Sequence, residues 1–143
     1  MRLLGRDQPK VAVLAAVETV NATMPATLDA AALTVMAARG QITGALVDGP
    51  LAFDNAISPE AVATKGIVSQ VAGEADILLV PDLEAGNMLA KQLIYFAGAT
   101  AAGLVLGARV PIVLTSRADP LSARIASAAL AKMVAVRKAE GKA

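Results

Sequence analysis

Short apolar runs alternate with long helical segments along this chain of 143 residues, and this alternation constrains the fold most. Continuous valine- and leucine-rich runs are typical of buried parallel strands, which need helical crossovers between them. The runs are Lys10–Ala15, Thr43–Val47, Asp76–Val80, Ala102–Leu106 and Pro111–Leu114. The sequence therefore predicts an α/β fold with a mostly parallel sheet between helix layers. The link between the last two runs is too short for a crossover helix, so that pair is predicted to be antiparallel or to diverge into another sheet.

Four helices are predicted from apolar spacing and end signals, at Ala26–Arg39, Pro59–Lys65, Glu84–Ala97 and Pro120–Arg137. Each follows a residue whose side chain can accept hydrogen bonds from free N–H groups: Thr23, Ser58, Asp82 and Asp119. Their spacing also predicts which residues face the core. These are Leu28, Ala32, Val35, Met36 and Arg39 in the first helix, Ala85, Leu89, Leu93 and Phe96 in the third, and Leu121, Ile125, Ala128, Ala131 and Ala135 in the last.

Hydrophobic residues make up 56% of the chain and the mean hydropathy is +0.60, although only Phe53, Tyr95 and Phe96 are aromatic. So apolar a chain is expected to bury surface against something beyond itself. We therefore expect a homodimer or larger assembly, or a segment of a larger polypeptide.

Cysteine and histidine are both absent, which excludes disulfides, thiolate or imidazole metal sites and a cysteine nucleophile. We expect no metal and no bound cofactor. A net charge of +1 without a basic run argues against nucleic acid as a partner. The most apolar window, Ala97–Leu114, is interrupted by glycines, Arg109 and Pro111, and Met1–Lys10 has no signal-peptide core. The expectation is a cytoplasmic protein without a membrane partner.

The stretch Pro111–Pro120 carries the strongest indication of a site. Thr115, Ser116 and Arg117 follow a predicted strand and precede a helix N-terminus, where α/β proteins bind ligands and anions are favoured. Arginine can hold an oxyanion with a planar fork of donors. The plainer alternative is that Ser116 caps the helix and Arg117 forms a surface ion pair.

Polar clusters follow four of the predicted strands, and a shared sheet edge would bring them into one cleft. They are Glu18/Thr19/Asn21, Asp48/Asn55, Asp82/Asn87/Lys91 and Ser116/Arg117/Asp119. Asp82 is also explained as a helix cap, and Asp54 and Asn55 as turn residues.

Five ordered segments resemble the phosphate acetyltransferase/phosphate butyryltransferase family: Val13–Glu18, Met24–Ala30, Asp48–Ile57, Pro81–Asn87 and Ser116–Arg117. The resemblance runs from about Val11 to Ala131. It implies transfer of an acetyl or butyryl group between coenzyme A, as substrate, and inorganic phosphate. Ser116 and Arg117 would be catalytic, and Asp48, Asn55, Asp82, Asn87, Lys91 and Thr115 would bind substrate.

The resemblance also implies a two-domain fold like that of isocitrate and isopropylmalate dehydrogenases, of which this chain is the C-terminal half. Residues 10–106 would belong mainly to one domain and residues 107–143 would return to the other. The other alternative is that the chain is the C-terminal half of the transferase part of a fusion with an enoyl-CoA hydratase. Such a chain is expected to need its missing N-terminal half and to be inactive alone.

One position departs from the family pattern. Acetyltransferases of the family carry an aspartate seven residues after the serine, proposed to take the thiol proton of coenzyme A, and here that position is Ala123. Asp119 could substitute, but its predicted capping role argues against it, and the base stays unassigned. This departure slightly favours the butyryl or broader branch of the family over the acetyltransferases. The alternative function is a non-catalytic ligand-binding or assembly module that has kept the fold.

Overall fold

The computed structural model describes Met1, residues 4–105 and residues 107–141. Leu106, the last residue of the fourth predicted strand, and Lys142–Ala143 lie outside the described residues. The chain forms two compact units. The first contains residues 6–86 with Met1, and the second contains residues 87–141 with Leu4 and Gly5.

A three-stranded parallel sheet forms the centre of the first unit. β1 (Lys10–Leu14) lies in the middle, flanked by β2 (Leu46–Leu51) and β3 (Ile77–Leu79). Val11 of β1 pairs with residue 47 on one side and residue 77 on the other. The predicted α/β fold with a parallel sheet is confirmed for these strands, whose carboxyl ends lie at one edge.

β2 begins later and runs further than predicted. The predicted Thr43–Val47 strand ended before Asp48, but β2 continues through Asp48 and Gly49 to Leu51. Ala12 pairs with Asp48, whereas Leu14 pairs with Leu51, so β2 accommodates one extra residue as a bulge. Asp48 therefore lies inside a strand rather than in the loop that follows it.

Three helices belong to the first unit: α1 (Pro25–Ala38), α2 (Phe53–Ile57) and α3 (Pro59–Lys65). α3 has the predicted bounds, and the Ser58 hydroxyl caps it by accepting from the N–H of Ala61 at 3.2 Å. The predicted Thr23 cap of α1 is wrong, since the Thr23 hydroxyl contacts Asn21 Oδ1 at 2.9 Å instead. α2 was not predicted.

The predicted inward face of α1 is also wrong. Thr27 and Ala30 are buried, and the Thr34 hydroxyl lies 3.0 Å from the carbonyl oxygen of Gly49 in β2. The larger side chains of Leu28, Val35 and Met36 are exposed. Small side chains face inward because α1 lies close to the sheet at Gly49: a Cβ there would be 3.3 Å from that of Ala30.

The second unit contains most of α4 (Leu83–Tyr95), then β4 (Leu104–Val105), β5 (Ile112–Val113) and α5 (Leu121–Ala139). β4 and β5 form a separate antiparallel ladder, which confirms that this pair is antiparallel and diverges into another sheet. The interpretation of Pro111–Leu114 as a buried parallel strand is wrong, because both residues of β5 are exposed.

α5 presents a different face to its unit from the one predicted. Ala123, Ser127 and Val134 are buried, whereas Leu121 and Ile125 are 72% and 61% exposed. The inward position of Ser127 is explained by its hydroxyl, which accepts from the N–H of Gly103 at 3.0 Å and donates to the carbonyl oxygen of Ala123 at 2.7 Å.

The predicted face of α4 is partly confirmed. Ala85, Leu89 and Leu93 are half-buried, but Phe96 lies beyond the helix end and is exposed. Every helix among the described residues is too short or too polar to cross a bilayer.

Candidate functional site

The loop after β5 is held by backbone contacts of the second unit. The N–H of Leu114 donates to the carbonyl oxygen of Gly103 at 3.1 Å, and the N–H of Gly103 donates to Ser127 Oγ on α5. A Cβ on Gly103 would overlap the carbonyl oxygen of Leu114, so glycine is required for this approach. α5 thus fixes the backbone immediately before Thr115 and Ser116.

Ser116–Asp119 forms a compact turn. The N–H of Asp119 donates to the carbonyl oxygen of Ser116 at 3.1 Å, and the N–H of Ser116 donates to Asp119 Oδ2 at 2.6 Å. The predicted capping of α5 by Asp119 is wrong: α5 begins at Leu121, with Pro120 at the N-cap position and no side-chain cap. The carboxylate of Asp119 shapes the loop rather than the helix end.

Arg117 lies at the centre of this turn and is exposed. Its guanidinium makes no hydrogen bond or ion pair with any residue that the structure describes. The alternative interpretation of a surface ion pair is therefore wrong for the described chain. Ser116 does not cap α5 either, because no side chain accepts from its first N–H groups.

A cavity of about 740 Å³ lies beside the loop within the second unit. Its walls come from α4, the segment before β4 and the loop itself. The lining residues are Asn87, Ala90, Lys91, Ile94, Tyr95, Ala101, Ala102, Gly103, Leu114, Thr115, Ser116, Ala118, Asp119 and Pro120. Four of the predicted site residues are therefore brought together: Asn87, Lys91, Thr115 and Ser116.

The polar side chains that α4 gives this cavity have no partner among the residues that the structure describes. Asn87 and Lys91 are four residues apart and so lie on one helix face. Neither side chain bonds to another described residue, and the Thr115 hydroxyl is equally unengaged there. They are available to a ligand without breaking an existing contact.

Tyr95 and Asp119 also line the cavity and were not predicted as substrate-binding residues. Tyr95 extends the face of Asn87 and Lys91 by one further turn, and its side chain is 71% exposed. Continuing the four-residue spacing from Asn87 would have found it. Phe96, the next residue, does not line the cavity although it is 89% exposed.

The remaining predicted residues belong to the first unit. Asp82 caps α4 by accepting a hydrogen bond from the N–H of Ala85 at 2.7 Å. This agrees with its alternative interpretation as a helix cap. Asp48 accepts from the N–H of Gly49 at 2.9 Å and lines a cavity of about 430 Å³ with residues 68–71. Both carboxylates therefore have identifiable local contacts.

Asn55 is fully buried at the start of a charged network. Its Nδ2 donates to Glu18 Oε2 at 3.2 Å, whereas its Oδ1 has no donor among the described residues. Lys65 Nζ bridges Glu18 at 3.3 Å and Asp54 at 3.0 Å. Hydrogen bonding to Lys65 lowers the pKa of Asp54, and hydrogen bonding to Asp54 raises the pKa of Lys65. Sequence reasoning missed Lys65, because nothing local links it to Glu18.

Within the described residues, no cluster of three acidic side chains is placed to hold a metal ion. That the four polar clusters share one cleft stays a prediction. The first unit contains the charged network at Asn55, and the second unit contains the cavity beside the loop after β5.

A parallel sheet and a cavity of ligand size, lined by apolar and polar side chains, define this chain as an α/β protein with a candidate small-molecule site. A family model described as phosphate acetyl/butaryl transferase matches residues 1–132. The chain belongs to this family.

Relatives and solved structures agree with this assignment. The chain is 64% identical over 135 residues to the phosphate acetyltransferase of Rhizobium meliloti, covering 94% of this chain and 43% of that protein. It is 59% identical over 128 residues to a probable phosphate butyryltransferase of Bacillus subtilis, covering 90% and 43%. A branched-chain phosphotransacylase from Enterococcus faecalis matches with a TM-score of 0.84 and 40% identity, covering 93% and 48%. The chain thus spans less than half the length of these proteins.

Proposed function

We propose that the polypeptide to which this chain belongs transfers an acetyl or butyryl group between coenzyme A and inorganic phosphate. The observation that carries this proposal is the cavity of the second unit, which is lined by Lys91, Thr115 and Ser116. Arg117 follows Ser116 in the loop without lining the cavity, and its guanidinium has no partner among the described residues. The substrates carry phosphate groups, and hydroxyls with unpaired cations are the donors that phosphate accepts from. Family membership supports the reaction class.

Ser116 and Arg117 are the proposed catalytic pair. The fork of Arg117 would hold the phosphate of the acyl phosphate through two parallel hydrogen bonds. The Ser116 hydroxyl accepts a 3.4 Å contact from the N–H of Ala118, and its own proton is free to be donated to the reacting carbonyl. Both donors would stabilise the oxyanion that develops as the thiolate attacks.

Lys91, Asn87 and Thr115 are proposed to bind the substrates around this pair. Lys91 supplies a point charge for a phosphate group, and the Asn87 amide and Thr115 hydroxyl supply neutral hydrogen bonds. This segment supplies no cysteine or histidine to carry an acyl group, which fits the direct transfer that we propose. Catalysis would then rest on positioning and on charge stabilisation.

Asp48, Asn55 and Asp82 stay proposed as substrate-binding residues. For Asn55 the support is its buried Oδ1, an acceptor that receives no hydrogen bond from the described residues. For Asp48 the support is its place in the wall of a surface cavity. For Asp82 the support is its position at the N-terminus of α4, the helix that carries Asn87 and Lys91.

For the whole protein we propose two domains with the isocitrate dehydrogenase-like fold, assembled as a dimer or larger oligomer in the cytoplasm. Residues 10–106 would lie mainly in one domain and residues 107–143 would return to the other. The two-residue strands β4 and β5 support this, since so short a ladder is rarely stable without further strands.

The test is an acyl-transfer assay on the complete polypeptide, with acetyl phosphate and butyryl phosphate as donors and coenzyme A as acceptor. Formation of the thioester with either donor is expected. No turnover with either donor, by a folded protein that still binds coenzyme A, would contradict the proposal and favour the alternative, a non-catalytic ligand-binding or assembly module.

A further inference from the structure

We propose that Asp119 is the base that takes the thiol proton of coenzyme A, an inference that rests on the proposed function. A thiol is nucleophilic as its thiolate, and with an ordinary pKa of about 8.5 it is mostly protonated near neutral pH. Attack on an acyl phosphate therefore needs a proton acceptor beside the sulfur. That acceptor has to lie where the reacting carbonyl and Ser116 meet.

Asp119 is the one acidic residue among those that line the cavity. The other polar side chains of the lining belong to asparagine, lysine, tyrosine, threonine and serine, residue types that supply N–H or O–H donors. The chain contains no histidine and no cysteine. Among the lining side chains, the carboxylate is thus the group with the chemistry of a base.

The contacts of Asp119 leave one carboxylate oxygen available. Oδ2 accepts from the N–H of Ser116 at 2.6 Å, and Oδ1 has no hydrogen bond within the described chain. The hydrogen bond through Oδ2 fixes the carboxylate against the backbone of the serine that would orient the carbonyl. Oδ1 is the atom that can receive a proton.

The capping role that would occupy Asp119 is absent. α5 begins with Pro120 at its N-cap position and without a side-chain cap. Ala123, four residues further along the chain, has a buried methyl side chain that offers no acceptor. The carboxylate is therefore free for chemistry in the loop.

In the reaction, the sulfur of coenzyme A forms a bond to the acyl carbon while its proton moves to Oδ1 of Asp119. The bond between the acyl carbon and the phosphate oxygen then breaks, and phosphate leaves with that electron pair. The leaving phosphate or water takes the proton from Asp119. Because a carboxylate is a weaker base than a thiolate, the proton moves as the carbon–sulfur bond forms rather than before it.

The decisive experiment replaces Asp119→Asn in the complete polypeptide and follows thioester formation from acyl phosphate and coenzyme A. The amide oxygen of asparagine can still accept from the N–H of Ser116, so the turn is retained. We expect kcat to fall about 10²–10⁴-fold, with KM for acyl phosphate nearly unchanged. Asp119→Glu, which keeps a carboxylate, should retain more activity. Asp29→Asn, on the exposed surface of α1, is the matched control and should leave kcat unchanged.

The pH dependence separates a base from a residue that only holds the loop. Without a base the variant depends on pre-formed thiolate, so its rate should rise about tenfold per pH unit below the thiol pKa. The unsubstituted protein should show a shallower rise. A loss of activity with an unchanged pH profile, or activity within threefold of the unsubstituted protein, would overturn this proposal alone. Absence of transfer by the unsubstituted protein would overturn the proposed function and this proposal with it.

Discussion

The guanidinium of Arg117 lies exposed in the turn between Ser116 and Asp119, with no partner in the described chain. We expect Arg117→Ala, in the complete polypeptide, to raise KM for phosphate or acyl phosphate and to lower kcat. Losing one side of a charged, bidentate contact costs about 2–5 kcal/mol. Arg117→Lys should restore little, because a point charge cannot reproduce the fork. Steady-state kinetics check this, and Arg109→Ala, in the segment between β4 and β5 rather than in the turn after β5, is the control. Unchanged kinetics would remove Arg117 from the site.

At Gly49, β2 leaves no room for a side chain. A Cβ there would be 2.6 Å from the carbonyl oxygen of Val13 in β1. We expect Gly49→Ala to lower the free energy of unfolding by about 3 kcal/mol, since backbone has to move. Gly40→Ala, where the added Cβ meets no atom within 4 Å but φ is +75°, should lose about 1 kcal/mol. Urea denaturation of both variants measures this, and equal losses would contradict the steric explanation.

At the scale of elements, Lys65 at the end of α3 links α2 to the loop after β1. The pKa of Asp54 is lowered, so its contribution to stability is present above its ordinary value of 3.8 and is lost as pH falls through the lowered pKa. The pKa of Lys65 is raised, so its contribution is present below 10.5 and is lost as pH rises through the raised pKa.

Lys65→Met should therefore lower the urea midpoint at neutral pH by a small amount, since both partners are exposed. The difference from the unsubstituted chain should shrink as pH falls through the lowered pKa of Asp54, because protonation removes the charge that Lys65 pairs with. Lys132→Met, which removes an exposed lysine of α5, controls for the change in net charge. A constant difference at every pH would show that the ion pair contributes nothing.

α4 brings one face, formed by Asn87, Lys91 and Tyr95, to the cavity. We expect Tyr95→Ala to raise KM for coenzyme A or the acyl substrate about 2- to 12-fold, because an aromatic contact of about 0.5–1.5 kcal/mol is lost. Phe96→Ala removes an exposed ring of similar size outside the cavity and should leave KM unchanged. Tyr95→Phe separates the ring from the hydroxyl. Equal effects at residues 95 and 96 would contradict this view of α4.

For the whole molecule, the exposed apolar side chains predict self-association of the isolated chain. They include Leu83 and Phe96 at the ends of α4, and Leu121 and Ile125 on α5. Light scattering should show concentration-dependent association, and Leu121→Gln with Ile125→Gln should weaken it. Leu28→Gln replaces an exposed apolar side chain of α1 and is the control for such a loss elsewhere on the surface. We also expect the isolated chain to show no acyl transfer. A monodisperse monomer would contradict the first expectation, and robust turnover would contradict the second.

The sequence alone determined the features that depend on a few neighbouring residues. The alternation of apolar runs and helices predicted the parallel sheet, and Ser58 before Pro59 predicted the start of α3. The Asp82 cap was found in the same way. Such features are set by hydrogen bonds and dihedral preferences within one turn of chain, which is why they can be read before the fold is known.

Only the tertiary structure decided which face of each helix lies inward. Size and hydrophobicity predicted Leu28 and Leu121 inside, but close approach of backbones placed Thr27 and Ser127 there instead. The contact of Glu18 with Asn55 joins residues 37 positions apart, and no local pattern indicates it. Asp119 likewise does not cap α5 as expected, and its carboxylate accepts from the N–H of Ser116 instead. These outcomes depend on the distances between packed elements, which are properties of the folded chain and not of any segment of it.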